Sequence, residues 1–216
     1  MACKLMKTLL LFHRLELTDM FGPLSRELAG KVNIVHVAYS MAEQEKLRKY
    51  DISGEVVVFK EEIRRLLSSD FTCNSSDIEA LDADIIKYTD KKFNLNGSIQ
   101  SDRGFSLLSY KECLSLTVAY SRFWEDILCE YNVDYVMHEP ISLMMNFICA
   151  INCKKSKVNY LYQMMCPPEV KGDCSYLTIY DTDFSCPDIE KNYRQYQSGA
   201  KIIDRDRMYK FFGEFS

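Results

Sequence analysis

The chain has little glycine and proline, and it lacks the long apolar stretch of a membrane-spanning helix. Its 216 residues include 8 Gly and 5 Pro, which is too few for a collagen-like or low-complexity protein. No apolar run approaches the ~18 residues that a transmembrane helix requires. The apolar segment Thr8–Phe12 near the start is also too short for the hydrophobic region of a signal peptide. These absences predict a globular cytoplasmic protein.

The nine cysteines form no pairing pattern. Their number is odd and no Cys-x-x-Cys occurs, whereas zinc sites usually pair Cys or His at short spacings. Cys149 and Cys153 lie in an apolar, helix-like stretch, where free cysteine packs as a small hydrophobic residue. We therefore expect reduced thiols and no metal site, as in a cytoplasmic protein.

The charge of the chain gives no sign of a nucleic-acid partner. The formal net charge is −4, and the basic residues are scattered in pairs such as Arg64-Arg65. Proteins that bind nucleic acids usually concentrate Lys and Arg on one face. The sequence therefore predicts no nucleic-acid binding.

Strand and helix patterns alternate along most of the chain. Apolar or β-branched runs predict strands, at 8–12, 32–38, 55–59, 133–137 and 158–162. Apolar residues at helical spacing predict helices, from Thr18 to Gly30 and at 42–49, 60–67, 105–131 and 141–153. This order predicts a parallel sheet with right-handed crossovers. We expect an α/β, Rossmann-like fold: a mostly parallel sheet with helices on both faces.

Two segments depart from this alternation. Residues 68–104, rich in Asp, Ser and Asn, are predicted to form an irregular excursion with one helix at 76–88. Later predicted elements are an extended piece and two helices, at 177–180, 188–197 and 205–212. We expect a Rossmann-like domain over 1–167 and a C-terminal extension of linker helices over 168–216.

Several enzyme motifs are absent. The chain contains neither G-x-G-x-x-G nor G-x-x-x-x-G-K-[ST], the glycine-rich loops that hold phosphates, and neither G-x-S-x-G nor H-E-x-x-H. Asp181-Thr-Asp183 has the D-x-D spacing of some metal-dependent glycosyltransferases but lies in the irregular C-terminal part. A dinucleotide-dependent dehydrogenase and a P-loop enzyme are disfavoured. We expect no tightly bound cofactor.

Polar residues follow three of the predicted strands. They are His13, Arg14 and Glu16 after the first strand, His138 and Glu139 after the fourth, and Gln163 after the fifth. Ligands of open parallel sheets bind beyond the carboxyl ends of the strands, so we predict one site there. A simpler interpretation also stands: Arg14 and Glu16 form a surface ion pair, and the mid-strand His36 packs in the core.

Glu139 is a candidate general base. It precedes Pro140, a residue favoured in the first turn of a helix. Its carboxylate is therefore predicted to lie at or near a helix N-cap, where backbone N–H groups stabilise the ionised form. From there it could take a proton from a sugar hydroxyl. His138 alternates with Glu139 along the chain, so one of the two faces the cleft and the other the sheet. A Glu at this position is also commonly only a helix cap.

The order of these segments resembles bacterial capsular and surface polysaccharide biosynthesis proteins, over nearly the whole chain. The segments that carry the resemblance are Leu9–Arg14, Phe21–Leu28, His138–Pro140, Pro168–Asp173, Tyr180–Asp183 and Cys186–Tyr193. The family tends to carry an Arg-x-Pro-Gly-Arg stretch where this chain has Glu169, Val170 and Lys171. That departure counts against binding of an anionic substrate by this segment.

The resemblance implies the N-terminal half of a GT-B glycosyltransferase, which has two Rossmann-like halves with a cleft between them. The N-terminal half generally holds the acceptor, and the C-terminal half binds the nucleotide-sugar donor. By this resemblance, Glu139 or His138 is the general base, and the other strand-end residues bind the acceptor. The implied partners are a sugar or oligosaccharide acceptor and a donor-binding C-terminal domain or subunit. Peripheral association with a membrane is compatible with this function.

Two other functions on the same fold remain open from the sequence. One is a non-catalytic binding or assembly module, which would dock a separate donor-binding subunit. The other is a different nucleotide-binding α/β enzyme, such as a flavodoxin-like protein.

Overall fold

The computed structural model describes residues 6–52, 55–68, 73–165, 175–179 and 187–200. Within these ranges six strands form one sheet and eight α-helices accompany it. The strands are β1 (Thr8–His13), β2 (Asn33–Ala38), β3 (Val56–Val58), β4 (Tyr135–His138), β5 (Asn159–Met165) and β6 (Ser175–Ile179). The helices are α1 (Leu17–Leu28), α2 (Met41–Leu47), α3 (Phe59–Ser68), α4 (Ser75–Tyr88), α5 (Leu95–Ser101), α6 (Tyr110–Glu130), α7 (Met144–Ser156) and α8 (Pro187–Gln197).

The strand order is β3-β2-β1-β4-β5-β6, in which β1 to β5 are parallel and β6 is antiparallel to β5. This is the order of doubly wound Rossmann-like sheets, and it confirms the predicted fold class. The central strand is β1, in which Leu10 lies opposite Val35 of β2 and Val136 of β4. The direction of winding reverses between β1 and β4, so the switch point of the sheet lies between their carboxyl ends.

Alternation along the strands divides the core into two layers. Leu10 and Phe12 of β1 belong to a large cluster that also contains apolar side chains of α3, α6 and α7. Leu11 faces the opposite side, where it packs with Phe21 of α1 and Met137 of β4. Helices therefore cover both faces, as predicted. Each fully buried Leu or Phe contributes about 1.5–3 kcal/mol relative to an exposed one.

Helix α7 is enclosed on all sides. Its residues 144–153 are all buried, which confirms the sandwiched position predicted from its nearly continuous apolar sequence. The helix begins three residues later than predicted, at Met144 rather than Ile141. That shift changes the surroundings of Glu139, as described below.

The segment predicted as an irregular excursion is largely helical. Helix α4 matches the predicted helix, but α5 was not predicted. The Asn residues that suggested loops are helix caps: Asn74 Oδ1 accepts the Asp77 N–H at 2.9 Å, and Asn94 Oδ1 accepts the Gly97 N–H at 2.8 Å. Both helices join the core through buried apolar side chains, namely Leu81, Ile85, Leu95 and Ile99.

The C-terminal part contributes to the sheet. Strand β6 pairs with β5 beyond the domain boundary predicted at 167, and α8 lies close to the helix predicted at 188–197. The helix predicted at 205–212 and the Asp181-Thr-Asp183 motif lie outside the described residues. Across the described ranges, no helix has both the length and the apolar character needed to cross a bilayer.

Candidate functional site

Two residues predicted from the sequence meet at the switch point. Arg14 follows β1 and Glu139 follows β4, and an Arg14 Nη1 to Glu139 Oε2 ion pair joins them at 2.7 Å. The two side chains are only 20% and 15% exposed. Because β1 and β4 are parallel neighbours, their carboxyl ends bring these residues together. Arg14 therefore pairs with Glu139 and not, as the simpler interpretation proposed, with Glu16.

The environment of Glu139 raises the pKa of its carboxyl above the ordinary value. Burial is the main cause, because it penalises the charged form. The charge and hydrogen bond of Arg14 act in the opposite direction, and the negative charge of Glu16 raises the pKa further. A carboxylate with a raised pKa is a better proton acceptor near neutral pH than an exposed one.

The backbone of Glu139 is held on both sides. Its N–H donates to His138 Nδ1 at 2.7 Å, and its carbonyl accepts the Tyr160 hydroxyl at 2.5 Å. The His138 ring is 1% exposed and stacks on Phe12, with a centroid distance of 3.9 Å. Since Nδ1 accepts a hydrogen bond, the neutral ring carries its proton on Nε2. Burial lowers the pKa of His138 well below its usual value.

This geometry assigns different positions to the predicted pair. Glu139 lies just beyond the carboxyl end of β4, and His138 lies in the core beneath it, as expected from the alternation of side chains along the strand. His138 was predicted as an alternative catalytic base. Its burial places the ring out of reach of a ligand beyond the carboxyl ends of the strands, and its Nδ1 accepts a hydrogen bond from the Glu139 backbone.

The predicted N-cap position of Glu139 is wrong. Helix α7 begins at Met144, and residues 139–143 form a loop. The buried side chain of Asn146 holds this loop: its Oδ1 accepts the N–H groups of Ser142 and Leu143 at 3.1 and 2.8 Å, and its Nδ2 donates to the Pro140 carbonyl at 2.8 Å. These bonds replace the helical turn that Pro140 suggested.

The carboxylate at the start of α7 comes from a distant residue. Asp102 accepts the N–H of Met144 through Oδ2, and it accepts the N–H of Gly104 through Oδ1 at 2.5 Å. Negative charge is stabilising at this end of a helix. Neither Asp102 nor Asn146 was predicted, because no local pattern shows which distant side chain closes a helix start.

His13 is buried on the opposite face of the sheet. It is 0% exposed, and its Nε2 lies 2.9 Å from Nδ1 of the equally buried His36. Burial lowers the pKa of His13 to about 3, with a smaller contribution from His36, and burial lowers the pKa of His36 to about 4. The core position predicted for His36 is confirmed. A ligand contact by His13 is not supported, because the pleat turns its ring inward.

The remaining predicted residues lie apart from the ion pair. Glu16 is exposed in the turn before α1 and acts on Glu139 only through its charge. Gln163 lies in β5 opposite Leu177, and its side chain is outside the described part of the structure. The described residues contain no group of three or more His, Cys, Asp or Glu placed to hold a metal ion.

Two residues that sequence analysis missed extend the site. Tyr39 follows β2, and its ring lies 5.0 Å from the Arg14 guanidinium and 4.4 Å from Lys60 Nζ, at the start of α3. Both residues follow strand ends, so the rule that identified Arg14 and Glu139 could have found them. We call Arg14, Tyr39, Lys60 and Glu139 together the strand-end site.

The turn before α1 does not form a phosphate cradle. The N–H groups of Leu17, Thr18 and Asp19 donate to the carbonyls three residues earlier, at 3.1, 3.2 and 3.0 Å. In dinucleotide-binding sheets a glycine-rich turn leaves such groups free for a pyrophosphate. Here the turn satisfies them internally, in agreement with the missing G-x-G-x-x-G.

No family model matches the chain, and no curated protein is significantly similar to it in sequence. What the strand-end site can do therefore follows from its own groups: a partly buried carboxylate of raised pKa, held by an arginine whose guanidinium lies against an aromatic ring.

Proposed function

We propose that the chain is the acceptor-side domain of a glycosyltransferase of bacterial capsule or surface polysaccharide biosynthesis, and that Glu139 is its general base. The observation that carries the proposal is the Arg14–Glu139 pair at the switch point, with the raised pKa of Glu139. Switch points are where doubly wound sheets bind their ligands. The resemblance to polysaccharide biosynthesis proteins supplies the reaction class.

The carboxylate has one oxygen available for a substrate. Arg14 occupies Oε2, and Oε1 accepts no hydrogen bond within the described ranges. In the proposed reaction the acceptor hydroxyl oxygen bonds to the anomeric carbon of the donor sugar as the bond to the nucleotide phosphate breaks. The hydroxyl proton moves to Oε1, and Arg14 holds the carboxylate in place.

The donor nucleotide is expected to bind elsewhere in the complete enzyme. The N–H groups at the start of α1 are already bonded, so the usual anchor for a pyrophosphate is not available at this switch point. This observation favours the acceptor-side function over a nucleotide-binding enzyme. The donor-binding domain or subunit is a partner of the proposal.

The test measures glycosyl transfer by this chain together with the proposed donor-binding domain or subunit. The assay follows nucleotide release from a panel of nucleotide sugars in the presence of membrane-derived acceptors. Glu139→Gln should lower turnover at least ~100-fold, the usual contribution of a general base. Glu27→Gln, an exposed Glu of α1, is the matched control and should leave turnover unchanged. Equal turnover of both variants would remove Glu139 from the mechanism.

A further inference from the structure

A cavity of ≈ 180 Å³ lies between α5 and the start of α7. It adjoins the same loop that begins at Glu139. Its polar lining comes from Ser98, Ser101, Asp102 and Ser142, and its apolar lining includes Phe93, Ile141 and Phe147. A cavity of ~150 Å³ can hold benzene, so this space fits one six-membered ring.

The polar part of the lining presents hydrogen-bond acceptors. The Ser98 hydroxyl donates to the Asn94 carbonyl at 2.7 Å, and the Ser101 hydroxyl donates to the Gly97 carbonyl at 2.9 Å. Their protons are thereby used, and their oxygens remain as acceptors. Each Asp102 oxygen accepts one backbone N–H and has a further lone pair. A ligand that donates hydrogen bonds, as hydroxyl groups do, would satisfy these acceptors.

The opposite part of the lining is apolar and aromatic. Phe93 and Phe147 pack edge to face, with centroids 5.9 Å apart, and Ile141 adds an aliphatic surface. Small-molecule sites commonly combine such a surface with a few placed polar groups. A pyranose ring has this dual character, since its C–H face is apolar and its hydroxyl edge donates hydrogen bonds.

The charge of the lining selects against anions. Among the described residues that line the cavity, Asp102 is the single ionisable one. Its hydrogen bonds hold it between Gly104 and the start of α7. A carboxylate fixed in this position repels a uronate or a phosphate.

We propose that this cavity binds a neutral sugar ring. The proposal rests on the proposed function in one respect: the bound ring would be part of the acceptor. Ile141 lies two residues from Glu139, so their Cα atoms are at most about 7 Å apart. A sugar in the cavity would thus place its neighbouring unit toward the strand-end site.

The experiment uses the chain itself and needs no donor sugar. The probes are the methyl pyranosides of glucose, galactose and mannose, with methyl glucuronide as the matched anion, each titrated to about 0.1 M while backbone amide NMR shifts are followed. We expect saturable shifts at Ser98, Ser101 and Ser142 with at least one neutral glycoside, and at least tenfold weaker binding of the glucuronide. Ser98→Leu fills the cavity and should abolish the shifts. Asn96→Leu, exposed on the same helix, should retain them.

Three results would overturn the proposal: no saturable shift at these serines, glucuronide binding as tight as that of the neutral glycosides, or equal binding by the Ser98→Leu variant. The two proposals fail separately. Sugar binding in the cavity would stand even if Glu139→Gln left turnover unchanged, and an empty cavity would leave the test of Glu139 untouched.

Discussion

Arg14 and Glu139, 125 residues apart in sequence, form an ion pair of 2.7 Å where the winding of the sheet reverses. The pair joins the loop after β1 to the loop after β4. Because both side chains are largely buried, neither charge is well solvated without the other. The pair therefore fixes the position of the Glu139 carboxylate. It also means that the conformation of each loop is stabilised by the side chain of the other.

Arg14→Met should raise the pKa of Glu139 further, because it removes the groups that oppose the effect of burial. It should also lower the free energy of unfolding at pH 7 by about 1.5–3 kcal/mol, the usual contribution of a hydrogen bond to a charged group. Carboxyl ¹³C NMR titration and urea unfolding measure the two effects. Arg48→Met is the control, since Arg48 pairs with Glu45 at the surface and should change stability little. Equal losses in both variants would contradict this interpretation.

Tyr160→Phe should lower stability by about 1 kcal/mol, because the Glu139 carbonyl loses the hydroxyl that it accepts. It should also lower the proposed transfer rate, since the loop that carries the proposed base is less well fixed. Tyr110→Phe removes a hydroxyl from an exposed ring and serves as the comparison. If Tyr160→Phe behaves like Tyr110→Phe in urea unfolding and in turnover, the positioning role of Tyr160 is wrong.

The buried histidines predict a loss of stability at mildly acidic pH. The pKa of His13 is lowered to about 3, that of His36 to about 4, and that of His138 well below its usual value. The folded protein therefore leaves all three rings neutral where the unfolded chain protonates them. The contribution of these rings to the free energy of unfolding should be fully present above the unfolded-state pKa of about 6.5. It should fall as the pH decreases toward 4, by up to about 1.4 kcal/mol per pH unit for each ring.

Urea unfolding between pH 7 and 5 tests the histidine effect in a window where most carboxylates stay ionised. Glu139 acts in the opposite direction, because its raised pKa favours proton uptake by the folded state. A His36→Val variant should show a shallower pH dependence than the unmodified chain. An identical slope for the two proteins would show that His36 does not contribute.

Gly22→Ala should destabilise the protein by about 1–3 kcal/mol, the usual cost of overpacking. A Cβ at this position would lie 2.4 Å from Cδ2 of Tyr50, whose hydroxyl is held by Asp19 at 2.7 Å. In a Tyr50→Ala background most of this loss should disappear, because the added Cβ no longer meets the tyrosine ring. Thermal unfolding of the four proteins measures the difference, and a loss of the same size in that background would contradict the steric explanation.

The fold was largely predictable because most of its strands can be recognised from short segments of the sequence alone. Continuous apolar runs locate β1, β2, β4 and β5, and their alternation with helices fixes a parallel sheet. The strand-end rule then brought Arg14 and Glu139 together correctly. That rule rests on topology alone, so it needs no knowledge of individual contacts.

The remaining features depend on contacts between distant residues. Helix α5 buries Leu95 and Ile99 but is otherwise polar. Its sequence is therefore typical of a loop. The start of α7 depends on Asp102, 42 residues away. The side chain of Tyr160 reaches the Glu139 carbonyl from the neighbouring strand. No periodic pattern in the sequence reports such contacts.

The pH dependence of the proposed glycosyl transfer tests the proposed role of Glu139 most directly. The account predicts that kcat/KM falls on the acidic side with an apparent pKa equal to the one that NMR titration gives for Glu139, and that Arg14→Met moves both values upward together. A rate that stays constant as the Glu139 carboxylate becomes protonated would contradict the account.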